Sequence, residues 1–412
     1  MERKLSIEEA ASAALIQKII DEVAHKGGGK VVLPAMELVL DRGLTLRSGI
    51  ELVGQGEDTV LKKGPGRVYP FSGYHNYGMC DAPLESAAGL EVGMTVSLHD
   101  GRTHGGFYET FATITWIDGN WVGLDHGIEA DYSAEHAPCL TTAYPLVFGH
   151  CVKEVALRDM RLEGNRAEQD KHMGGCRGSS VYFARSCSVE VSGVMERDYH
   201  GEGMGFQMCR DVKIIDSRFD DNSGNGLHPG AGSTNALFER CGAAGNDKAG
   251  FFFCVRANHI TVRECDFREN KLGISIGTRD CYNLIEDCII ENNAGPGVLA
   301  RQSPLPVEVH SCRIERCRMG GNARLEGRGQ IEVTSAAHDL VFVDNEVACG
   351  KSGGAGVYIE DTARSIYLEN NKIEDCEGEV EARAESLTKT AMAFECGYGE
   401  WPETHFRHLT TP

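Results

Sequence analysis

The chain has no uninterrupted apolar run of about 18 residues, so no stretch of it is long enough to span a bilayer as a helix. Basic residues are scarce: 41 Lys and Arg face 61 Asp and Glu, a formal net charge of −20. That balance argues against nucleic acid and against an anionic membrane as partners. It also denies long-range attraction to any polyanion, so such a ligand needs a local basic patch. Aromatics make up only 7% of the chain. No Cys-x-x-Cys pair occurs among its 16 cysteines, which removes the usual zinc spacing. The start, Met-Glu-Arg-Lys-Leu-Ser-Ile-Glu-Glu, lacks the apolar core of a signal peptide and favours a cytoplasmic protein. A leader trimmed from this start would instead leave a secreted or periplasmic location open.

What the chain does have is a repeat. Segments beginning near Gly205, Gly226, Gly250, Gly273, Gly297 and Gly356 align. Their first positions are Phe206, Leu227, Phe251, Ile274, Val298 and Val357, and their third are Met208, Pro229, Phe253, Ile276, Ala300 and Ile359. Apolar residues at one and three, with mixed residues between, mark a half-buried strand. A second column, Ser217, Cys241, Cys265, Cys288 and Cys312, recurs at intervals of 24, 24, 23 and 24 residues, and Asn345 and Asn371 continue it. A period of this size means a solenoid. No helical pattern separates the short strands, so the expected fold is all-β, a parallel β-helix with glycine and asparagine at its corners. Fifty glycines suit such tight corners. At 412 residues the chain exceeds a single compact core, a limit that a fold growing by added coils escapes.

Successive thiols of the column are expected to stack as small buried residues. Coils stand ~4.8 Å apart, but parallel side-chain vectors disfavour disulfides. The sequence therefore predicts that nearly all 16 cysteines are reduced.

In chain order, residues 1–65 open with an amphipathic helix and lead into the first coils. Ser6 and Glu9 form a capping box, Leu15, Ile19, Ile20 and Val23 form the apolar stripe, and Gly27 to Gly29 end the helix. Such a helix is the natural lid for a solenoid's open end. Lys30 to Pro34 follows as a strand. Over residues 66–150 the period is lost, and alternation at Glu91 to Leu98 and Ala112 to Ile117, with a turn at Asp118-Gly119-Asn120, predicts a small inserted antiparallel β-domain. Its aromatics (Tyr74, Tyr77, Phe107, Tyr108, Trp116, Trp121, Tyr132) suit a sugar site or, for most of them, that domain's own core. Coils resume over 151–385, with loops inserted at Gly164 to Arg177, which carries His172, and at Arg318 to Arg328. Both precede the same strand of the coil and so flank one face. Residues 386–412 form a tail or C-terminal cap.

The chemistry belongs on the outward positions of that face. The second position runs Tyr182, Gln207, His228, Phe252, Ser275, Leu299; the fourth runs Ala184, Cys209, Gly230, Cys254, Gly277, Arg301. Small residues there leave a trough along the axis, with Arg256, Arg279 and Arg301 beside it as partners for carboxylate or sulfate groups. The bland alternative pairs these arginines with Asp198, Asp211 and Asp280. The corner Asp198-Tyr199-His200-Gly201-Glu202 leads into the Gln207 strand, one coil before His228. Two histidines, a tyrosine and two acids converging on a trough are a candidate catalytic set: His228, His200, Tyr199, Glu202 and Asp198. Gln207, Arg256, Arg279, Arg301 and Tyr182 are the candidate substrate-binding residues.

The N-terminal Gly-Gly-Gly-Lys-Val-Val-Leu-Pro strand and Gly-Ile-Glu-Leu-Val-Gly-Gln-Gly corner resemble those of the pectate-lyase-like superfamily. Gly-Glu-Gly-Met-Gly-Phe-Gln, Gly-Asn-Gly-Leu-His-Pro-Gly-Ala-Gly-Ser, Gly-Phe-Phe-Phe-Cys-Val-Arg and Gly-Ile-Ser-Ile-Gly-Thr-Arg-Asp resemble right-handed parallel β-helix repeat proteins. The resemblance implies a right-handed helix and a polysaccharide lyase, glycoside hydrolase or uronate epimerase acting on an oligo- or polysaccharide. The chain lacks the Asn-Thr-Asp and Gly-His-Gly signatures of polygalacturonases and the Asp-Pro-His of alginate epimerases. Three readings follow. In a lyase, an arginine, with or without a divalent cation such as Ca2+ beside it, would neutralise a uronate carboxylate while His228, His200 or Tyr199 moves protons. In a hydrolase, two carboxylates would act, Asp198 with Glu202 or Glu332 with Glu360. In a non-catalytic solenoid the trough would only hold a glycan. The lyase is the favoured expectation. The glycan, the metal requirement and the oligomeric state stay open.

Overall fold

The computed structural model describes residues 1–102, 109–170, 173, 175, 177–350, 354–399 and 401. His172, Phe107, Tyr108 and the tail beyond Trp401 lie outside these residues. The chain forms a right-handed parallel β-helix in which each coil contributes three short strands. Arg210–Ile215, Arg218–Asp220 and Leu227–Pro229 make one such coil. One face is an eleven-stranded parallel sheet running from Leu44–Thr45 to Gly378–Glu381. This is the floor sheet.

Tight corners make three strands per coil possible. Asp216, Arg240, Glu264, Asp287, Arg316, Asp344 and Asn370 take up left-handed backbone with φ of 50–56°. Polar residues, mostly charged, stand at this corner, where glycine and asparagine were expected. The asparagines instead line the next turn, inside. Backbone N–H groups of Asn222, Asn246, Asn270 and Asn293 donate to the side-chain oxygen of the asparagine one coil on, at 3.0, 3.0, 2.9 and 3.1 Å. These side chains are buried, and their ladder satisfies corner amides that no strand can reach.

The inward columns form one continuous apolar core from Leu5 to Ile366. Leu227, Phe251, Ile274 and Val298 stack in register as expected, and Ile331 then stands between Val298 and Val357. Phe206 does not precede them: Met204 pairs with Leu227, and Phe206 pairs with Pro229. A slip of two residues keeps an apolar side chain inward, so alternation alone does not detect it. The thiol column also needs one correction. Ser217, Cys241, Cys265 and Cys288 align, but Cys317 follows, because Ile289 pairs with Arg318. Cys312 belongs to the neighbouring column, opposite Asn283. An insertion after Ala300 lengthens that coil, and the 24-residue spacing to Cys312 is a coincidence.

The cysteines are not all reduced, since Cys349 and Cys376 form a disulfide. It joins adjacent coils at the C-terminal end and leaves the stacked thiols unbridged. In a thiol titration under denaturing, non-reducing conditions, Cys349 and Cys376 are expected to stay silent while Cys241, Cys265, Cys288 and Cys317 all react. A bridge among those four would contradict the parallel stack.

The helix Ala13–His25 covers the N-terminal end. Its cap is Ser12, whose hydroxyl accepts from Leu15 N, while Ser6 and Glu9 make their reciprocal bonds one turn earlier, outside the helix. Ile16, Ile20 and Val23 face the core, and Leu15 points to solvent. No helix among the described residues is long and apolar enough to cross a membrane.

Between Val68 and Thr141 lies a six-stranded antiparallel sheet with its own core of Tyr69, Phe71, Val96, Leu98, Ile114, Val122 and Tyr132. Of the described aromatics expected in that core only Tyr132 is buried; Tyr74, Tyr77, Trp116 and Trp121 are exposed. The C-terminal segment returns along the flank of the solenoid. Gly397 N donates to Tyr282 O at 2.8 Å, Tyr398 N to Thr261 Oγ1 at 2.8 Å, and Gly399 N to Asn235 Oδ1 at 2.9 Å. Trp401 packs on His259, with ring centroids 4.5 Å apart.

Candidate functional site

The outer face of the floor sheet carries two columns. One runs Tyr182, Gly205, His228, Phe252, Ser275, Leu299, Glu332 and Tyr358. The other runs Ala184, Gln207, Gly230, Cys254, Gly277 and Arg301. Gln207 and Cys209 thus stand two residues from their expected places. Cys209 faces inward at 1% exposure, where burial pushes its thiol up to about 12.

Gly205 puts no side chain beside His228 on the preceding coil, where the Tyr182 hydroxyl donates to Gln207 Oε1 at 3.1 Å. Behind His228 sits Glu202, with Nδ1 and Oε2 2.5 Å apart. Asn225 holds the other carboxylate oxygen, donating from Nδ2 at 2.8 Å. His228 is 4% exposed and Glu202 2%, so the pair lies out of water in the sheet. Burial opposes the imidazolium, but the Glu202 carboxylate and the Cys254 thiol outweigh it and raise His228 to about 9. Burial likewise opposes the carboxylate, yet His228 and Asn225 hold Glu202 below its ordinary value. The pair is ionic at neutral pH. Nε2 of His228 is buried and hydrogen-bonds to no described residue.

On the next coils, Phe252 packs edge-on to His228 at 4.9 Å, and the Arg301 guanidinium lies 4.2 Å above the Phe252 ring. Arg301 donates to Ser275 Oγ at 3.0 Å and Phe253 O at 2.7 Å, with Asp280 3.7 Å away. It lies over Gly277, where a Cβ would come within 2.1 Å of its Cζ. Arg301 therefore fills the trough floor at this point, where open space over Gly277 was expected. Asp280, fully buried, is pushed up to about 7 by desolvation, against the pull of Arg301.

The remaining site residues lie elsewhere. Tyr199 is buried at a corner, where its hydroxyl donates to Tyr144 O at 2.7 Å; desolvation keeps the phenol protonated, which takes it out of proton transfer in the trough. Asp198 accepts from Arg166 N at 3.2 Å, and the His200 carbonyl accepts from Met173 N at 2.8 Å. This corner thus holds Arg166 and Met173 by their backbone amides. Arg256 and Arg279 occupy left-handed corner positions past the floor strands, with φ of 66° and 57°. Arg279 is exposed and makes no ion pair among the described residues. Glu332 accepts from the N–H groups of Arg328 and Gly329, and Glu360 from Ser335 N at 2.7 Å. Among the described residues, no group of three or more His, Cys, Asp or Glu side chains is placed to hold a metal ion.

Comparison with known proteins agrees with this architecture. The family described as "Right handed beta helix region" matches residues 149–282, 178–347 and 273–387, together more than half the chain. The A-module of the Azotobacter vinelandii mannuronan C-5 epimerase AlgE4 is 15% identical with a TM-score of 0.54, covering 92% of this chain and 96% of that one. A polygalacturonase from Erwinia carotovora is 13% identical with a TM-score of 0.58, over 92% and 96%. PfbA, a surface adhesin of Streptococcus pneumoniae, is 14% identical with a TM-score of 0.50, over 92% and 93%. No curated protein matches the chain by sequence.

Proposed function

Because the chain belongs to the right-handed β-helix family, we propose that the outer face of its floor sheet binds a uronate-containing polysaccharide and cleaves it by β-elimination. The observation that carries this reading is the buried Glu202–His228 ion pair beneath the outer face of the floor sheet. A charge held this far from water is a strong sign of a working site. Two structures of similar fold, the mannuronan epimerase and the polygalacturonase, are named for polysaccharides, which supports a glycan as ligand.

In this reading the exposed Arg279 pairs with the uronate carboxylate, which stabilises charge developing at C5. His228, an imidazolium up to a pH of about 9, protonates the departing glycosidic oxygen. The sign of the shift fixes the pH response: the acid form prevails below about 9, so turnover is expected to decline as pH rises through that value. A rate that climbs through the same range would instead make His228 a base. Hydrolysis by paired carboxylates is the weaker reading, because one acid must be protonated and Glu202 is held ionised.

The test is a panel of acidic and neutral polysaccharides, read by ultraviolet absorbance and product mass. An unsaturated uronide is the expected product. A new reducing end without unsaturation would favour hydrolysis, and binding without either product would favour a passive trough. Arg279→Ala is expected to raise KM about tenfold, a loss of ~1.4 kcal/mol, and to lower kcat as well, because the charge developing at C5 loses its counterion.

A further inference from the structure

Elimination needs a base as well as an acid, and the two groups already described leave that role unfilled. Glu202 is 2% exposed and both its oxygens are engaged, by His228 and by Asn225. Asp280 is completely buried behind Arg301. Tyr199 is committed to Tyr144 O.

Among the described residues, one further ionisable side chain stands on the trough floor next to His228. Cys254 lies on the next coil, two positions further along the same outward face, since Leu227 pairs with Phe251. With strands ~4.8 Å apart and two residues of ~3.3 Å along the strand between them, such diagonal neighbours stand roughly 8 Å apart at the backbone, within reach of a histidine. The thiol is partly exposed and forms no disulfide. On one side it has His228, whose buried Nε2 hydrogen-bonds to no described residue. On the other it has Arg301, whose guanidinium donates to the carbonyl of Phe253, the residue before it.

We infer that Cys254 is the base of the elimination, a thiolate held between the His228 imidazolium and the Arg301 guanidinium. Thiolates form where cations flank a partly exposed sulfur. The raised His228 and its electrostatic link to Cys254 agree with this. Arg301 feels Cys254 as well. In the reaction, Sγ takes the C5 proton of the uronate. The electron pair left on C5 forms the C4–C5 double bond as the C4–O4 bond breaks, and O4 departs with the Nε2 proton of His228. Cys254 is then a thiol and His228 a neutral imidazole. Transfer of one proton from Sγ to Nε2 restores the pair, so no other reactant is needed. The charged groups facing the pair are Glu202, Arg301 and Asp280, with Lys248 acting on Glu202.

The inference rests on the elimination reading, and its test separates the two. Native protein is treated with limiting iodoacetamide at about pH 6.5, where an ordinary thiol near 8.5 is only about 1% ionised. The labelled cysteines are then mapped. Cys254 is expected to react at least tenfold faster than the exposed Cys80 and Cys151. In His228→Ala its rate is expected to fall to theirs or below, while Cys80 and Cys151 keep their own rates. In the elimination assay Cys254→Ala is expected to lose roughly 10²–10⁴ in turnover. Its KM and its melting curve should stay close to those of the parent, with Cys254→Ser as a second check on folding. Labelling of Cys254 no faster than Cys80 overturns the thiolate. Fast labelling with full activity in Cys254→Ala overturns its role as base. Fast labelling with no unsaturated product from any glycan overturns the elimination reading and the base with it, and leaves the labelling pattern as direct evidence of the ion pair.

Discussion

Replacing His228 with alanine is expected to lower turnover on a cleavable glycan by roughly 10²–10⁴, the usual worth of a general acid. The same change strips Glu202 of its nearest cation, leaving a carboxylate 2% exposed whose remaining described hydrogen bond comes from Asn225. Breaking a buried pair from one side costs about 3–5 kcal/mol. Activity and stability must therefore be read together. The companion variant is Glu202→Gln, which removes the charge without removing volume and returns His228 toward its ordinary 6.5. It should keep the fold and move the alkaline limb of the rate profile downward from about 9. Stability should follow the same groups. His228 is raised, so its contribution is full below about 6.5 and is lost as pH climbs through about 9, roughly 3 kcal/mol in all. Glu202 is lowered, so its share is present above its ordinary 4.5 and is lost as pH falls further. Urea unfolding of both variants and the parent at pH 6 and pH 10 checks the sign. A parent that gains stability at the alkaline end would contradict the pairing, and a Glu202→Gln variant with an unmoved rate profile would detach the histidine from the chemistry.

Phe251→Ala is expected to destabilise the protein by about 3–5 kcal/mol. The ring is fully buried and stands between Leu227 and Ile274 in the inner column. It meets Phe238 and Phe253 at centroid distances of 4.7 Å each, and Phe267 at 5.8 Å. Edge-on aromatic pairs add about 0.5–1.5 kcal/mol beyond area burial, which pushes the estimate toward the upper end. Relaxation into the hole is limited, because hydrogen-bonded coils hold both neighbours at a fixed spacing. The control is Val39→Ala at a side chain 53% exposed, where the change should stay within about 0.5 kcal/mol. A loss below about 1 kcal/mol at Phe251 in denaturant unfolding would mean that this column is not tightly packed.

The period of the repeat was legible in the sequence because corners impose it: each coil must return a small or amide side chain to the same inner place. Register within a coil was only half legible. Met204 and Phe206 are both apolar and both inward, so alternation accepts either as the partner of Leu227. The same slip put Cys209 on the trough and moved Gln207 off its true column. Cys312 fitted the period by numerical accident once the insertion after Ala300 had shifted Cys317. Of the candidate site, the nearness of Glu202 and His228 followed from their lying on adjacent coils. That their side chains form a buried ion pair did not, since it depends on Gly205 leaving room and on Asn225 fixing the carboxylate. Tyr199 looked equally placed in sequence and turned inward against Tyr144 instead.

The disulfide between Cys349 and Cys376 bears on how the molecule comes apart. In a stack where each layer touches only its two neighbours, opening proceeds like a zipper, layer by layer from whichever end is loosest. The helix Ala13–His25 shields one end with a packed apolar face. At the other end, among the described residues, no comparable helix covers the last strands, and Gly378–Glu381 is mostly exposed. There a covalent staple joins the terminal layers, so that one cannot peel away without the other. A reductant should therefore act regionally. Amide hydrogens of residues 355–381 would exchange faster while those around His228 keep their protection, and the layers around His228 would sit behind a fuse that the redox state of the surroundings can cut.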